Sequence, residues 1–161
     1  MISLLSKGNL LAVLRNEEKW EILISLNDSF KIERFIYKKS INKLLKELAG
    51  YYHRSFIEER KIMSEQYDFQ QKIPILINPG NILLFQTRSL DHSQCILLNY
   101  YCINKYKKVN DNIYIDFCVP FKNKKIILND GIYIHIDRRT IDNQYKRCQR
   151  IENTLKERNI I

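Results

Sequence analysis

The sequence predicts an α+β fold: mostly antiparallel β-sheet with a central helix and a C-terminal amphipathic helix. Two observations carry this. Short apolar runs divided by turn residues recur through most of the chain, and apolar positions recur at helical spacing in only two places, near residues 41–49 and from residue 140 onward. With 161 residues, 45% of them hydrophobic, and only 4 Gly and 3 Pro, the chain has the size of one ordinary domain (1–161) and few linker-like stretches. A chain of this length buries roughly two-thirds of its unfolded surface, so order is expected nearly throughout.

Residues 1–37 read as a small antiparallel meander. Asn9 to Arg15 and Lys19 to Ser25 are apolar runs separated by Asn16, Glu17 and Glu18, and Asn27, Asp28 and Ser29 precede a third run, Phe30 to Tyr37. Residues 38–63 read as mainly helical. Ser40 can cap a helix with Ile41, Leu44, Leu45, Leu48 and Ala49 on one face, Gly50 either ends that helix or is tolerated in it, and Tyr51 to Met63 could continue it.

Residues 72–136 read as β-rich. Pro74 and the Asn78-Pro79-Gly80-Asn81 turn bracket Ile75 to Ile77, Ile82 to Phe85 follows, and a polar loop spans Thr87 to Gln94. Ile96 to Ile103 and Asn112 to Val119 are strand candidates. The second places Ile113, Ile115, Phe117 and Val119 on one face, and Pro120 is expected to end it. Lys125 to Asn129, Asp130-Gly131 and Ile132 to Ile136 carry a hairpin signal, because Asp-Gly suits a turn with positive φ. Residues 140–158 read as the C-terminal helix. Thr140 is its expected cap, Ile141, Tyr145, Cys148, Ile151 and Leu155 face inward, and Asn143, Lys146, Arg147 and Arg150 face outward.

The formal charge is +9, which favours an anionic partner, because clustered cations gain affinity as counterions leave a polyphosphate. The excess is localised. Basic and acidic residues balance at five each from Met1 to Tyr37, but stand at seven to three from Lys38 to Lys61, six to two from Ile103 to Lys125 and seven to three from Arg138 to Arg158. Met1 to Leu14 is leucine-rich, yet Lys7, Gly8 and Asn9 interrupt it and no small-residue cleavage site follows. No apolar run approaches the roughly 20 residues that span a bilayer. The expected compartment is the cytoplasm, with no membrane partner.

Cys95, Cys102, Cys118 and Cys148 form no C-x-x-C pair and sit among apolar neighbours, so buried reduced thiols are expected, with no metal and no cofactor. Enzymatic patterns are poor: there is no glycine-rich phosphate loop, G-x-S-x-G elbow or H-E-x-x-H motif. A metal-dependent nuclease would need paired carboxylates around Mg²⁺. Glu17-x-Lys19, Glu59-x-Lys61 and the unpartnered Asp116 offer little toward one.

The basic constellations say more. On the C-terminal helix, Lys146, Arg147 and Arg150 lie within about two turns of one face, so they can engage phosphates while Asn143 reaches a base edge. The competing reading is a solvated face on which Arg147 pairs with Glu152 or another acid. Arg60-Lys61 is a second cationic pair. Lys105, Lys107 and Lys108, and Lys122, Lys124 and Lys125, crowd the ends of the Asn112 to Val119 strand as phosphate-contacting loops or ordinary lysine-rich turns. Tyr51, Tyr52, Tyr100, Tyr101, Tyr106, Tyr114 and Tyr133 would serve an RNA or single-stranded nucleic-acid binder if exposed, and structural packing if not.

Lys72-Ile-Pro-Ile-Leu-Ile-Asn-Pro79, then Ile82-Leu-Leu-Phe-Gln-Thr87, then Ser93-Gln-Cys95, resembles the K-x-P-I segment, F-P-T strand and polar loop to a cysteine of the competence transcription factor family, ComK. Asn129-Asp-Gly131 through Thr140-Ile-Asp-Asn-Gln144 to Arg147 is similar to that family's N-G turn and its S-F-E-N-Q helix start with a later arginine. Tyr51-Tyr52 and Arg60-Lys61 resemble its aromatic pair and G-R-K element. The similarity covers Tyr51 to Leu155 in order. It departs at Gln86, Glu59, Ile96 and Leu97, where the family has proline, glycine, glycine and tryptophan. The chain also ends soon after the last helix, so regulation through a longer tail by adaptor-directed proteolysis is not carried over.

The resemblance implies a non-enzymatic activator that binds A/T-rich double-stranded DNA largely through the minor groove, as a homodimer or higher homo-oligomer, with RNA polymerase as a further partner. The expected DNA-binding residues are Arg60, Lys61, Asn143, Lys146, Arg147 and Arg150. Arg, Lys, Asn and Gln suit the acceptor-only edge and concentrated negative potential of a narrow A·T minor groove.

Overall fold

The computed structural model describes residues 2–27 and 29–161. Asp28, in the turn expected before the third strand, lies outside the described residues. Among the described residues are ten strands and three α-helices, an α+β architecture.

A six-stranded antiparallel sheet, in the order β3-β2-β1-β6-β5-β4, forms the centre. Its strands are β1 (Gly8–Asn16), β2 (Lys19–Leu26), β3 (Ile32–Tyr37), β4 (Ile75–Asn78), β5 (Ile82–Gln86) and β6 (Ile96–Asn99). The inner strands, such as β5 with all five residues buried, read as apolar runs because both faces of the sheet are covered there, whereas the edge strand β3 carries Glu33 and Arg34 and leaves Ile36 exposed. One face presents Ile22, Ile24, Ile75, Ile77, Ile82, Leu84 and Leu97 to helix α1 (Ile41–Tyr51). The other presents Leu23, Leu76, Leu83, Phe85 and Leu98 to a second layer of strands and helix.

That second layer contains β7 (Ile103–Val109), β8 (Asn112–Phe121), β9 (Lys124–Ile127) and β10 (Ile132–Ile134), with β8 paired to all three others. Ile113, Ile115, Phe117 and Val119 face the shared core, as their alternation predicts. Helix α3 (Arg138–Glu157) adds Ile141, Cys148, Ile151 and Leu155 to the same core. All four cysteines are buried free thiols, as their apolar neighbours imply.

Several boundaries differ from expectation, each for a local reason. The helical region is two helices: α1 ends near His53, which takes a positive φ of 59°, and Ser55 caps a new helix, α2 (Phe56–Tyr67). Lys105, Lys107 and Lys108 belong to the edge strand β7 rather than a loop, and a short 3-10 turn over Tyr100–Cys102 divides the expected Ile96 to Ile103 strand. Pro120 does not end β8; it pairs with Lys125 and leaves only a ladder donor missing. Asp137, not Thr140, caps α3, its side chain accepting from the Arg139 N–H at 2.7 Å.

The expected hairpin at Asp130-Gly131 is not formed. Both β9 and β10 pair antiparallel with β8, Ile127 opposite Cys118 and Ile132 opposite Ile115. They are successive parts of one edge, and the five steps from Ile127 to Ile132 oppose three steps of β8, a bulge of two residues. The reversal lies earlier, at Lys122 and Asn123, whose φ angles are 49° and 62°. Gly131 is required for close approach instead: a Cβ there would stand 2.2 Å from the Ile115 carbonyl oxygen.

Candidate nucleic-acid interface

Helix α3 is fastened at both ends of its buried face by tyrosine hydroxyls of the neighbouring layer. Tyr106 donates to Asp142 Oδ1 at 2.5 Å, and Tyr101 donates to Glu152 while accepting the Gly80 N–H at 3.1 Å. Burial and the adjacent carboxylates hold both phenols well above their ordinary pKa, so they remain donors. Glu152 also receives Lys156, while Arg147 makes its hydrogen bonds to Gln71, Lys72 and Gln144 instead.

The inner stripe of α3 is Ile141, Gln144, Cys148, Ile151 and Leu155. Tyr145 was expected among them, but it lies at the edge of the stripe, half-buried, its ring centroid 4.9 Å from Tyr100 and 5.7 Å from Tyr106. Gln144 takes the central position at a three-residue step from Ile141. Its Nε2 donates to the carbonyls of Lys72 at 2.9 Å and Gln86 at 2.7 Å. Gln86 in turn donates to the Ile73 carbonyl at 3.0 Å. The polar side chains thus satisfy a buried loop backbone that would otherwise lack donors.

Arg147 was expected to face water; it is half-buried and completes this clamp instead. Its Nη1 donates to the Gln71 carbonyl at 2.6 Å and to Gln144 Oε1 at 3.3 Å, and its guanidinium lies 4.8 Å from the centroid of Phe69. Periodicity missed this because the partner loop, residues 68–73, is remote in sequence. Asn143, Lys146 and Arg150 are exposed, as expected.

These four residues and Tyr67, Asp68 and Phe69 line one groove of about 620 Å³ between α3 and the end of α2. Tyr67 and Phe69 stack with centroids 5.4 Å apart, and the Arg150 guanidinium stands 5.3 Å from Tyr67. The stack spreads Arg150 against a flat apolar wall with its edge toward solvent. Nothing in the sequence marks Tyr67 and Phe69 as site residues, because their i, i+2 spacing at the end of a helix offers no local sign that cations will cover them.

Arg60 and Lys61 occupy a separate depression of about 530 Å³ on α2, facing α1, with Asn42, Lys46, Phe56, Ile57, Ser64, Glu65 and Ile73. The structure does not bring them into the α3 groove. Both cavities are nevertheless bounded by α2. Among the described residues, ion pairs join Arg34 to Glu21, Arg54 to Glu59, Arg138 to Asp142 and Lys156 to Glu152. None uses Arg60, Lys61, Lys146, Arg147 or Arg150. Among the same residues no three His, Cys, Asp or Glu side chains converge as a metal site, and Asp116 accepts from Asn104 at 3.1 Å.

A family model described as ComK protein matches residues 7–159. The chain belongs to the ComK family. It is therefore assigned to a family of competence transcription factors. The ComK match extends over β1 to β3 and α1 as well as the motifs from Tyr51 onward, so the meander is part of the family unit. Within the ComK-like helix start, Gln144 and Arg147 are the two residues that clamp the segment after α2 to α3. No curated protein and no solved structure matches the chain. No helix among the described residues is long and apolar enough to cross a membrane.

Proposed function

We infer that the chain regulates transcription in the cytoplasm by binding A/T-rich double-stranded DNA, largely through the minor groove, without enzymatic chemistry. The observation that carries this reading is a set of cations that form no ion pair among the described residues along two grooves bounded by α2: Arg60 and Lys61 in one, Lys146 and Arg150 in the other. An unpaired surface cation keeps its full attraction for phosphate. Asn143, exposed beside Lys146, supplies both a donor and an acceptor for a base edge. Arg147 acts on the interface as a positioning residue, since its guanidinium is committed to the Gln71 carbonyl and Phe69.

The two cationic grooves of one chain do not merge, which favours a homodimer or higher homo-oligomer reading paired boxes, with RNA polymerase as the further partner of an activator. Titration of labelled A/T-rich and G/C-rich duplexes, with and without Mg²⁺, tests the reading. Tighter binding to the A/T-rich duplex, independent of Mg²⁺ and without cleavage, is expected. Equal affinity for both duplexes would remove the A/T preference, and Mg²⁺-dependent cleavage would make the chain a nuclease.

A further inference from the structure

We propose that the outer face of the second layer, centred on Tyr114 and Tyr133, is a stacking platform for the bases of an unpaired nucleic-acid strand, separate from the grooves beside α2. This rests on the nucleic-acid-binding reading above. Most tyrosines are committed elsewhere: Tyr101 and Tyr106 fasten α3, Tyr100 packs on Tyr145, and Tyr51 and Tyr52 pack on each other at nearly right angles. Tyr114 and Tyr133 are directly opposite on β8 and β10, on the face turned away from the core. Tyr133 is 64% exposed.

A cross-strand aromatic pair can exist only to support its sheet, but three features exceed that role. The ring centroids are 4.9 Å apart with the planes tilted by 53°, so the rings are not stacked face to face, and the exposed Tyr133 ring is accessible to a base. Tyr114 is seated over Gly131: a Cβ at that glycine would stand 2.7 Å from the Tyr114 Cζ and hydroxyl, so the missing side chain makes the ring's bed. Tyr114 thus lies against the Gly131 backbone, beside the more exposed Tyr133 ring. Finally, the row continues across β8 to β7, where Lys107 is opposite Tyr114 and exposed, and Lys105, two residues along and opposite Asp116, is exposed as well.

The acid in these rows, Asp116, stands opposite Lys105 and accepts from Asn104 at 3.1 Å, so the cation free of a cross-strand acid is Lys107 beside Tyr114. Aromatic rings flanked by lysines on a strand edge match the chemistry of a single strand: flat bases at phosphate-spaced intervals, with the backbone beside the cations. A duplex, whose bases are already stacked, cannot use the rings.

The test is fluorescence anisotropy of the full chain with a labelled oligothymidylate of about 12 nucleotides, alongside the A/T-rich duplex. Tyr133→Ala is expected to weaken oligothymidylate binding by about 5- to 150-fold, the equivalent of ~1–3 kcal/mol for one base stack, with duplex affinity unchanged. Tyr133→Phe should retain binding, because stacking needs the ring and not the hydroxyl. Lys107→Ala should lower the salt slope for the single strand by about one. Lys146→Ala with Arg150→Ala should weaken the duplex and spare the single strand. Wild-type oligothymidylate affinity in Tyr133→Ala, or duplex binding with none to the single strand, would overturn the platform while leaving the duplex reading intact. Loss of both ligands from the unaltered chain would overturn both.

Discussion

Lys146 and Arg147 are adjacent on α3, yet one side chain ends in water and the other on the Gln71 carbonyl and the Phe69 ring. Their alanine variants should separate accordingly. Arg147→Ala removes charge-assisted hydrogen bonds and should cost about 1–3 kcal/mol of stability, whereas Lys146→Ala should leave the Tm within error and weaken duplex binding; thermal melts and a duplex titration read both. Arg147→Lys should not restore the loss, since an ammonium on a flexible stem lacks the planar fork that spans a carbonyl and an aromatic face. Gln144→Ala is expected to be more damaging, about 2–4 kcal/mol in urea unfolding, because it strips donors from two carbonyls while leaving a void beside Cys148. If Gln144→Ala melted like the unaltered chain, the clamp would be incidental. The buried Asn99 works in the same manner: it accepts from the Leu83 N–H at 3.1 Å and donates to the Leu10 carbonyl at 2.8 Å, joining strands far apart in sequence.

At the level of elements, the strongest local signals located regular structure and were weaker on how pieces connect. The apolar face of α1 and its Ser40 cap are as expected, the Ser40 hydroxyl accepting from the Lys43 N–H at 3.2 Å. Helix α2 carried a legible start in Ser55 with Glu58 three positions on, the spacing of a capping box. Its low amphipathicity hid it: Ile57 and Ile62 are exposed while Phe56 and Met63 are buried. The Asp130-Gly131 pair misled because the glycine serves contact between strands and not chain reversal. Gly131→Ala should consequently cost about 1–3 kcal/mol by forcing β10 away from β8, seen as a lower urea midpoint. Under a hairpin-turn role with positive φ, Gly131→Asn would be tolerated; at this site it should be at least as harmful as alanine.

For the whole molecule, the net charge and the buried groups set the response to solution conditions. If Arg60, Lys61, Lys146 and Arg150 each meet a phosphate, log affinity should fall against log salt with a slope of about −3 to −4 per chain, since each contact contributes about −0.9. A flat response would remove the electrostatic account. Burial pushes the thiol of Cys95 to about 11 and that of Cys102 to about 12, from an ordinary 9.0. These groups stay protonated in the folded state after the unfolded chain has begun to ionise. Stability is therefore fully present below about pH 9 and declines from there toward pH 12, as the unfolded state binds fewer protons. Tm against pH should show that decline, and thiol reagents at neutral pH should be slow until denaturant is added.

The sequence by itself determined the class of fold, the core face of α1, the apolar members of the α3 stripe other than Tyr145, the inward face of β8, the burial of the cysteines and the family, because each is written in local periodicity or in the order of short motifs. The tertiary structure alone decided that β9 and β10 share one edge of β8, that Gln144 belongs to the core stripe, and that Arg147 holds a loop while its neighbours face water. Periodicity reports which side of an element is apolar. Whether a polar side chain on the margin is satisfied by water or by a distant carbonyl depends on which backbone folding brings beside it, and the segment after α2 reaches α3 only through long-range packing.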